Sequence, residues 1–597
     1  MPNLNLFFHP MNFPFPEQQP GKNQPHTFPS LEALDQHNTD PRIIHARALK
    51  SSHTDSSIFN NLITLYSKSK ANLLSYSLRL FHQIPSPNIV SWTALISSHS
   101  KSPLSLHLFL SMLRYPILPN QRTLASLFKT CASLSHAFSF GLSLHSLSLK
   151  LCLQNKPFCG SALLNFYSRF RSPDSARKVF DEIQNRDEVC YAAMIVCFAR
   201  NSRCLDSLAV FADMRHCYVG STMYSVSGAL RAAAELAALE QCRVVHAHAV
   251  VVGLDKNVIV GTALIDGYGK AGLVFDARRV FNENLSELSI VAWNAMMAGY
   301  AQQGDKNSVL QLFHLLKTRG FVPDEYSFLA VLTAFSNAGL YFESGKWMER
   351  MRIEYVLEPG LEHYTCLIGA AGRAGRLEDA ERMAITMPFE PDAAVWRALL
   401  SSCAIHGAAD MAWKIAQKLL ELDPYDDSAY VIAANVLSSA GRWDEVAEVR
   451  KRMKDWRVKK EGGRSWIELK GKVHVFLAGD RRHDRVEEIY TKLKELMEEC
   501  EKFGYVPIWD EMLHNVEEKE KKEGLWYHSE RLALAFGLVS GSPPGKALRI
   551  VKNLRICRDC HECFKYISRV VEREIIVRDV NRYHRFLNGS CTCGDIW

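Results

Sequence analysis

Long apolar runs are missing from this 597-residue chain. No stretch approaches the roughly 18 charge-free apolar residues needed to cross a bilayer. The best, from Leu134 to Leu153, is broken by serine, histidine and lysine, so no membrane insertion is expected. Any large excess of one charge is also missing. Seventy-one Lys+Arg against 64 Asp+Glu leave +7, which permits a polyanionic partner without demanding one. Nor is there a dense disulfide framework. Most of the 16 cysteines stand singly among apolar residues (Cys131, Cys197, Cys204, Cys403), where a small buried thiol is the ordinary reading. Five crowd the last 41 residues: Cys557, Cys560, Cys563, Cys591 and Cys593. Without a secretory signal, such a local cluster reads as metal binding before disulfides. Acid is nearly absent from residues 1–30, which are rich in Pro, Asn and Gln and lack the basic start and short apolar core of a secretory signal. They read as a transit peptide or a disordered extension.

What is present is repetition. "IVSWTALIS" at Ile89 returns as "EVCYAAMIV" at Glu188 and "IVAWNAMMA" at Ile290. A second wording runs "GSALLNFYSRF" from Gly160, "GTALIDGYGKAG" from Gly261 and "YTCLIGAAGRAG" from Tyr364. Most are followed by a helical pattern such as "SARKVFDEI" (Ser175–Ile183). In register, the units begin near residues 56, 89, 121, 157, 188, 223, 258, 290, 325 and 361, after a partial unit with "RIIHARALK". Each has room for two helices. In the 258 unit the first is apolar at Val260, Leu264, Ile265 and Tyr268. A turn at Lys270–Gly272 follows, and the second buries Ala277 and Phe281. Neither helix has apolar face enough to fold alone, so the hairpins are expected to stack into an all-α solenoid over residues 31–392.

The "SW-(N/T)-A-(M/L)-I" and "ARKVFDEI" wording resembles the plant pentatricopeptide repeat family, in the subclass that alternates long, short and ordinary units. The resemblance implies that each repeat faces about one base of single-stranded RNA, read mainly by the fifth and last residues of the unit. The pairs are Asn60 with Asn88, Thr93 with Asn120, Ser161 with Asp187, Asn294 with Asp324, and Thr365 with Asp392. The family pattern reads them as pyrimidine (preferably C), A, G, U and G, in 5′ to 3′ order. Ala192 with Thr222 and Thr262 with Ser289 fit no strong rule. The long-unit pairs, Ala125 with Lys156, Ser227 with Asn257 and Leu329 with Gly360, are read as weak or silent. A helix cap or a solvent-facing residue is the competing reading of each polar position.

Two further hairpins, begun by "AAVWRALLSSCAIHG" and "SAYVIAANVLSSAGRWDEVAEVRKRM", occupy 393–461 and resemble the extension motifs of editing-type members. The basic run Arg450, Lys451, Arg452, Lys454, Lys459 and Lys460 either steers RNA phosphates or is a solvated face. From residue 462 the pattern becomes α/β. Alternation between Trp466 and Leu477 predicts a hairpin turning at Gly471-Lys472. Gly462 stands where the family usually has proline, which loosens the entry to this region.

Chemistry concentrates in this last region. His528-Ser529-Glu530 opens a helix, and 26 residues later "CRDC" places Cys557 and Cys560 with two residues between. One His and two Cys leave a fourth zinc position for water, with Glu530 close enough to shuttle a proton. This is the order found in zinc nucleobase deaminases. A purely structural zinc is the competing reading. Ile556 replaces the proline that often precedes the first cysteine. The block from "LRICRDCHECFKY" onward resembles the C-terminal deaminase domain of the DYW subclass, and the likeness spans about 463–597. It also implies a second, structural zinc held by His561, His584, Cys591 and Cys593; free cysteines packed near a terminus are the alternative. Cys563 is expected to pack, and Ile596 stands in place of the family's tyrosine.

Together these readings predict zinc-dependent, site-specific C-to-U editing of organellar RNA, with zinc as cofactor, two ions in all. Alternatively the chain is an RNA-binding specificity factor that recruits a separate editing or processing enzyme, or a protein-binding scaffold. Organellar editing cofactor proteins are a further expected class of partner. The N-terminus does not settle mitochondrion against chloroplast, with a slight lean to the mitochondrion.

Overall fold

The computed structural model describes residues 40–50, 56–68, 74–284, 288–459, 462–508, 526–541, 545–580 and 582–595. The 1–30 segment, Lys460 and Ile596 lie outside these. The chain divides into two compact units: residues 1–201 with 210–220, and residues 202–209 with 221–597.

Each unit contains stacked helical hairpins. In the first, the leading helices are Ser56–Lys68, Ile89–Ser98, Gln121–Ser133, Pro157–Arg169 and Glu188–Arg200. In the second they are Met223–Glu235, Val258–Lys270, Ile290–Gln302, Glu325–Asn337 and Leu361–Arg373. Every one begins at the residue where the repeat register predicts a start. The cause is local. Asn88, Asn120, Asp187, Thr222, Asn257 and Asp324 sit in extended backbone and accept hydrogen bonds from the first free N–H groups of the helix that follows. Lys156 offers no such bond, but Pro157 at the first helical position removes one N–H that would need it.

Neighbouring leading helices pack side by side, so 258–270 lies between 223–235 and 290–302. Val260, Leu264, Ile265, Tyr268, Ala277 and Phe281 are all buried, as the spacing predicts. Gly269 and Gly299 allow a close approach: a Cβ on Gly269 would lie 3.3 Å from the Gly299 Cα. Gly272, at φ +76°, closes the turn to the second helix Val274–Glu283 in the left-handed region. Cys131, Cys197, Cys204 and Cys403 are buried, and burial pushes the Cys131 and Cys403 thiols up to about 12.

The extension forms two hairpins, Ala393–Ile405 with Ala409–Leu422 and Asp427–Ser439 with Trp443–Asp455. They share one core, which includes Trp396, Leu399, Ile415 and Tyr430.

The α/β region follows. Among the described residues its six strands are β1 (Arg464–Leu469), β2 (Lys472–Leu477), β3 (Leu548–Lys552), β4 (Ile575–Arg578), β5 (Tyr583–Leu587) and β6 (Ser590–Cys591). They stand in the order β2-β1-β3-β4-β5-β6. Among these, β3 and β4 alone are parallel, joined by the helix Arg558–Val570. The helices Val486–Lys502 and Ser529–Val539 pack with it around Leu493, Leu532, Phe564 and Ile575. The expected hairpin forms, but its turn is Lys470-Gly471, because Leu469 pairs with Lys472. Both turn residues have positive φ (51° and 73°), the geometry that matches the twist of a two-residue hairpin.

Candidate metal centres and nucleic-acid interface

Two helix starts converge beyond the C-terminal ends of β3 and β4. His528 caps the helix Ser529–Val539, which puts Glu530 in its first turn. Cys557 caps the helix Arg558–Val570, and its sulfur accepts the N–H of Cys560 at 3.3 Å. The C-x-x-C spacing therefore wraps both sulfurs around one helix N-terminus. His528 Nδ1 lies 3.3 Å from Cys560 Sγ and 3.5 Å from Cys557 Sγ. Ligand-capable atoms of His528, Glu530, Cys557 and Cys560 all lie within 4.8 Å of one another.

Glu530 is completely buried. Its Oε2 accepts from the Lys552 ammonium and from the Ser529 hydroxyl at 3.2 Å, while its buried Oε1 has no hydrogen-bond partner. An orphaned buried acceptor costs roughly 1–3 kcal/mol, more when charged. Burial opposes ionisation of Glu530, but Lys552 and His528 outweigh it and hold the carboxyl well below the usual range. The hydrogen bond from Cys560, helped by His528, holds Cys557 far below the ordinary thiol value, whereas burial pushes Cys560 far above it. One thiolate beside one thiol is how two sulfurs share a site without a cation; a divalent cation lets both ionise. The donor set and the orphaned Oε1 fit a zinc ion with one position left for water.

The second group holds His561, His584, Cys591 and Cys593, again within 4.8 Å. His561 Nε2 is 3.1 Å from Cys593 Sγ, and Cys591 Sγ is 3.8 Å from His584 Nδ1. Its two imidazoles and two sulfurs suit a closed tetrahedral site. The chain does not run straight through C-x-C: β6 ends at Cys591 and a turn carries Cys593 back. Cys563 stays out of both groups, packed in the core beside Cys500.

Four structural partners were not legible in the residue spacing. Lys552, the last residue of β3, reaches Glu530. Asp579, just past β4, accepts from His584 Nε2 at 3.3 Å and from the Ile556 N–H at 3.2 Å, so it braces both groups. Arg531 and Asp559 form an ion pair at 0% and 2% side-chain exposure, tying the helix that carries Glu530 to the one that carries Cys560. Tyr505 and the Ile508 N–H also donate to Asp559, at 2.6 and 2.9 Å.

At the expected base-reading positions, the last residue of a unit is the N-cap of the next helix. Asn88 accepts from Val90 N–H at 2.9 Å, Asn120 from Thr123 at 2.9 Å, Asp187 from Cys190 at 2.8 Å and Asp392 from Val395 at 3.0 Å. The fifth residues sit one turn into their helices. Thr93 meets the Thr123 hydroxyl at 2.7 Å, Ser161 donates to Phe158 O at 3.4 Å and Thr365 donates to Leu361 O at 2.9 Å. Asn60 is buried, with Oδ1 unpartnered. Asn294 donates to Asp324 at 2.8 Å. The capping reading thus holds for all five last residues, and each Asp keeps a second oxygen while each Asn keeps its NH2.

A model described as "DYW family of nucleic acid deaminases" matches residues 504–597, and an E motif model matches 406–468. Pentatricopeptide repeat models match 288–337, 189–219, 262–283 and 362–387. Pentatricopeptide repeat-containing protein At2g03880, mitochondrial, of Arabidopsis thaliana is 37% identical over 543 residues, covering 90% of this chain and 85% of its own length. Pentatricopeptide repeat-containing protein At4g14850 of the same plant is 36% identical, covering 93% and 81%. A longer relative, At4g33170, is 38% identical over 93% of this chain, which spans 56% of that protein's length. Among solved structures, the pentatricopeptide repeat protein PPR10 in complex with an 18-nt psaJ RNA element matches with a TM-score of 0.53 at 17% identity, covering 69% of this chain and 62% of that one. That likeness is one of fold. The family models and the relatives together establish that this chain belongs to the plant pentatricopeptide repeat proteins, with an E motif and a C-terminal DYW-type deaminase domain.

Proposed function

We propose that the repeats bind single-stranded organellar RNA and that the C-terminal domain converts one cytidine of that RNA to uridine. The observation that carries this reading is the tetrad of His528, Glu530, Cys557 and Cys560, with Glu530 and Cys560 buried and one carboxylate oxygen unpartnered. Zinc held by His528, Cys557 and Cys560 would lower the pKa of water towards neutrality. Glu530, fixed by Lys552 and Ser529 through Oε2, keeps Oε1 to take a proton, pass it to N3 of the base and later give one to the departing amine. Arg531 and Asp559 hold the two helix starts so that Glu530 and the sulfurs stay in register. His561, His584, Cys591 and Cys593 would hold a second, structural zinc. PPR10, which shares the repeat fold, is in complex with an RNA element, and this supports RNA as the class of partner here.

The family pattern sets the edited cytidine four nucleotides 3′ of the guanine facing Thr365 and Asp392. The purified full chain should convert that cytidine in a synthetic transcript. Glu530→Gln should lower the rate by roughly 10²–10⁴ while leaving RNA affinity intact. Tight RNA binding with no conversion by either protein would instead support a specificity factor that recruits a separate enzyme.

A further inference from the structure

The α/β domain and the repeats meet inside the second compact unit, and their contacts are sorted by polarity. Trp466 Nε1 donates to Leu236 O at 2.8 Å, and Arg578 donates to Ala234 O at 3.2 Å. Arg549 donates to Ala271 O at 3.2 Å, Arg582 to Asn337 O at 3.1 Å, and the Tyr583 hydroxyl to Lys270 O. Every acceptor is at or just past the C-terminus of a leading repeat helix, 223–235, 258–270 or 325–337. There carbonyls lack helical partners and the helix dipole is negative.

The opposite sign appears where a helix begins. The helix Leu239–Val251 has no capping side chain of its own. Glu468 supplies one from β1, accepting the N–H groups of Glu240 and Gln241 at 2.6 and 2.9 Å. Donors of the domain thus meet carbonyl ends, and a carboxylate meets the amide end. Unspecific apolar collapse would not arrange partners in this way.

The seam forms a half-open cavity of about 640 Å³, within the roughly 300–1,000 Å³ typical of ligand compartments. Arg203, Asp206 and Leu236 wall it from the repeats, and Trp466, Lys552 and Arg578 wall it from the sheet. Lys552 connects it to the tetrad, since its ammonium bonds Glu530. Five basic residues line the cavity against three acidic ones, a balance that suits a phosphodiester strand.

We propose that the deaminase site is composite: repeat residues 202–206, 235–236 and 302 form one wall of the compartment that receives the RNA strand flanking the reacting base. This rests on the RNA-deaminating reading above. The sheet then contributes the chemistry, and the repeats that read the RNA also shape its path to Glu530.

The full chain tests this directly. Carbodiimide cross-linking should join Glu240 to Lys546, which lie 3.4 Å apart. Glu240→Lys should abolish that link, and combining it with Lys546→Glu should restore it. A single-stranded oligonucleotide bearing a photoreactive thiouridine beside the target cytidine should label peptides containing Arg203 and Trp466. Arg203→Glu should lower conversion by about tenfold or more while the array keeps its RNA affinity. No 240–546 link in the wild type, or no label on the Arg203 peptide, overturns the composite site. Link and label without any conversion support the compartment and overturn only the catalytic reading.

Discussion

Asn294 donates its side-chain amide to Asp324 Oδ1 at 2.8 Å, so the fifth residue of this repeat grips its own last residue, which caps the next helix. The Ser327 hydroxyl closes the triangle, 2.7 Å from Asn294 Oδ1 and 3.0 Å from Asp324 Oδ1. On the proposed RNA reading, recognition and capping share these atoms. Asn294→Thr gives this unit the pair found at Thr365 and Asp392. It should move base preference there from U to G by about tenfold, roughly 1.4 kcal/mol, in competition binding with paired oligonucleotides. Asp324→Ala should lower stability by roughly 0.5–2 kcal/mol in urea unfolding, whatever RNA is present.

The Arg531–Asp559 pair has almost no contact with solvent. Arg531→Leu leaves a carboxylate buried without its cation, and breaking such a pair costs roughly 3–5 kcal/mol. Urea unfolding should show this loss, and zinc bound per chain should fall with it, because the pair joins the helices that carry His528 and Cys560.

Cys593→Ser tests the second metal group. Zinc content should fall by one ion per chain. Conversion should fall roughly 10–100-fold, the usual effect of disturbing groups that orient a metal site. The coupling runs through Asp579, which contacts both His584 and the Ile556 N–H.

Glu468 makes the seam sensitive to pH. Burial, with Glu240 nearby, pushes its carboxyl from the usual 4.5 up to about 7, against the pull of two backbone amides and Lys546. A raised acid binds its proton more tightly in the folded state. Its contribution to docking is therefore full below about 4.5, declines as pH rises towards about 7, and stays flat above that. Hydrogen exchange at the Glu240 and Gln241 amides, corrected for intrinsic rate, should lose protection across that window. Glu468→Gln should flatten the profile.

Much of this is legible from local spacing. Repeat starts can be read because the same wording recurs with a 3.6-residue apolar pattern, often after Asn or Asp, and the first metal group because C-x-x-C and H-x-E are themselves local; the second is implied by the family resemblance. Lys552 and Asp579 leave no such trace: they meet the site only because β3 and β4 run parallel and end together. The hairpin turn lies one residue before its expected place because Gly471 advertises positive φ and Lys470 does not. The Glu468 contact with the 239–251 helix start spans 228 residues of chain between single polar atoms, which no periodicity marks.

Asn88, Asn120, Asp187, Asp324 and Asp392 all begin helices. A residue that must serve as both helix starter and base reader can be drawn only from the short polar side chains good at the first task. On the proposed RNA reading, the recognition alphabet of these five units is therefore restricted by folding before any RNA arrives. Each change of letter there is also an edit to the scaffold, so new specificities would evolve within the stability margin of the units so capped.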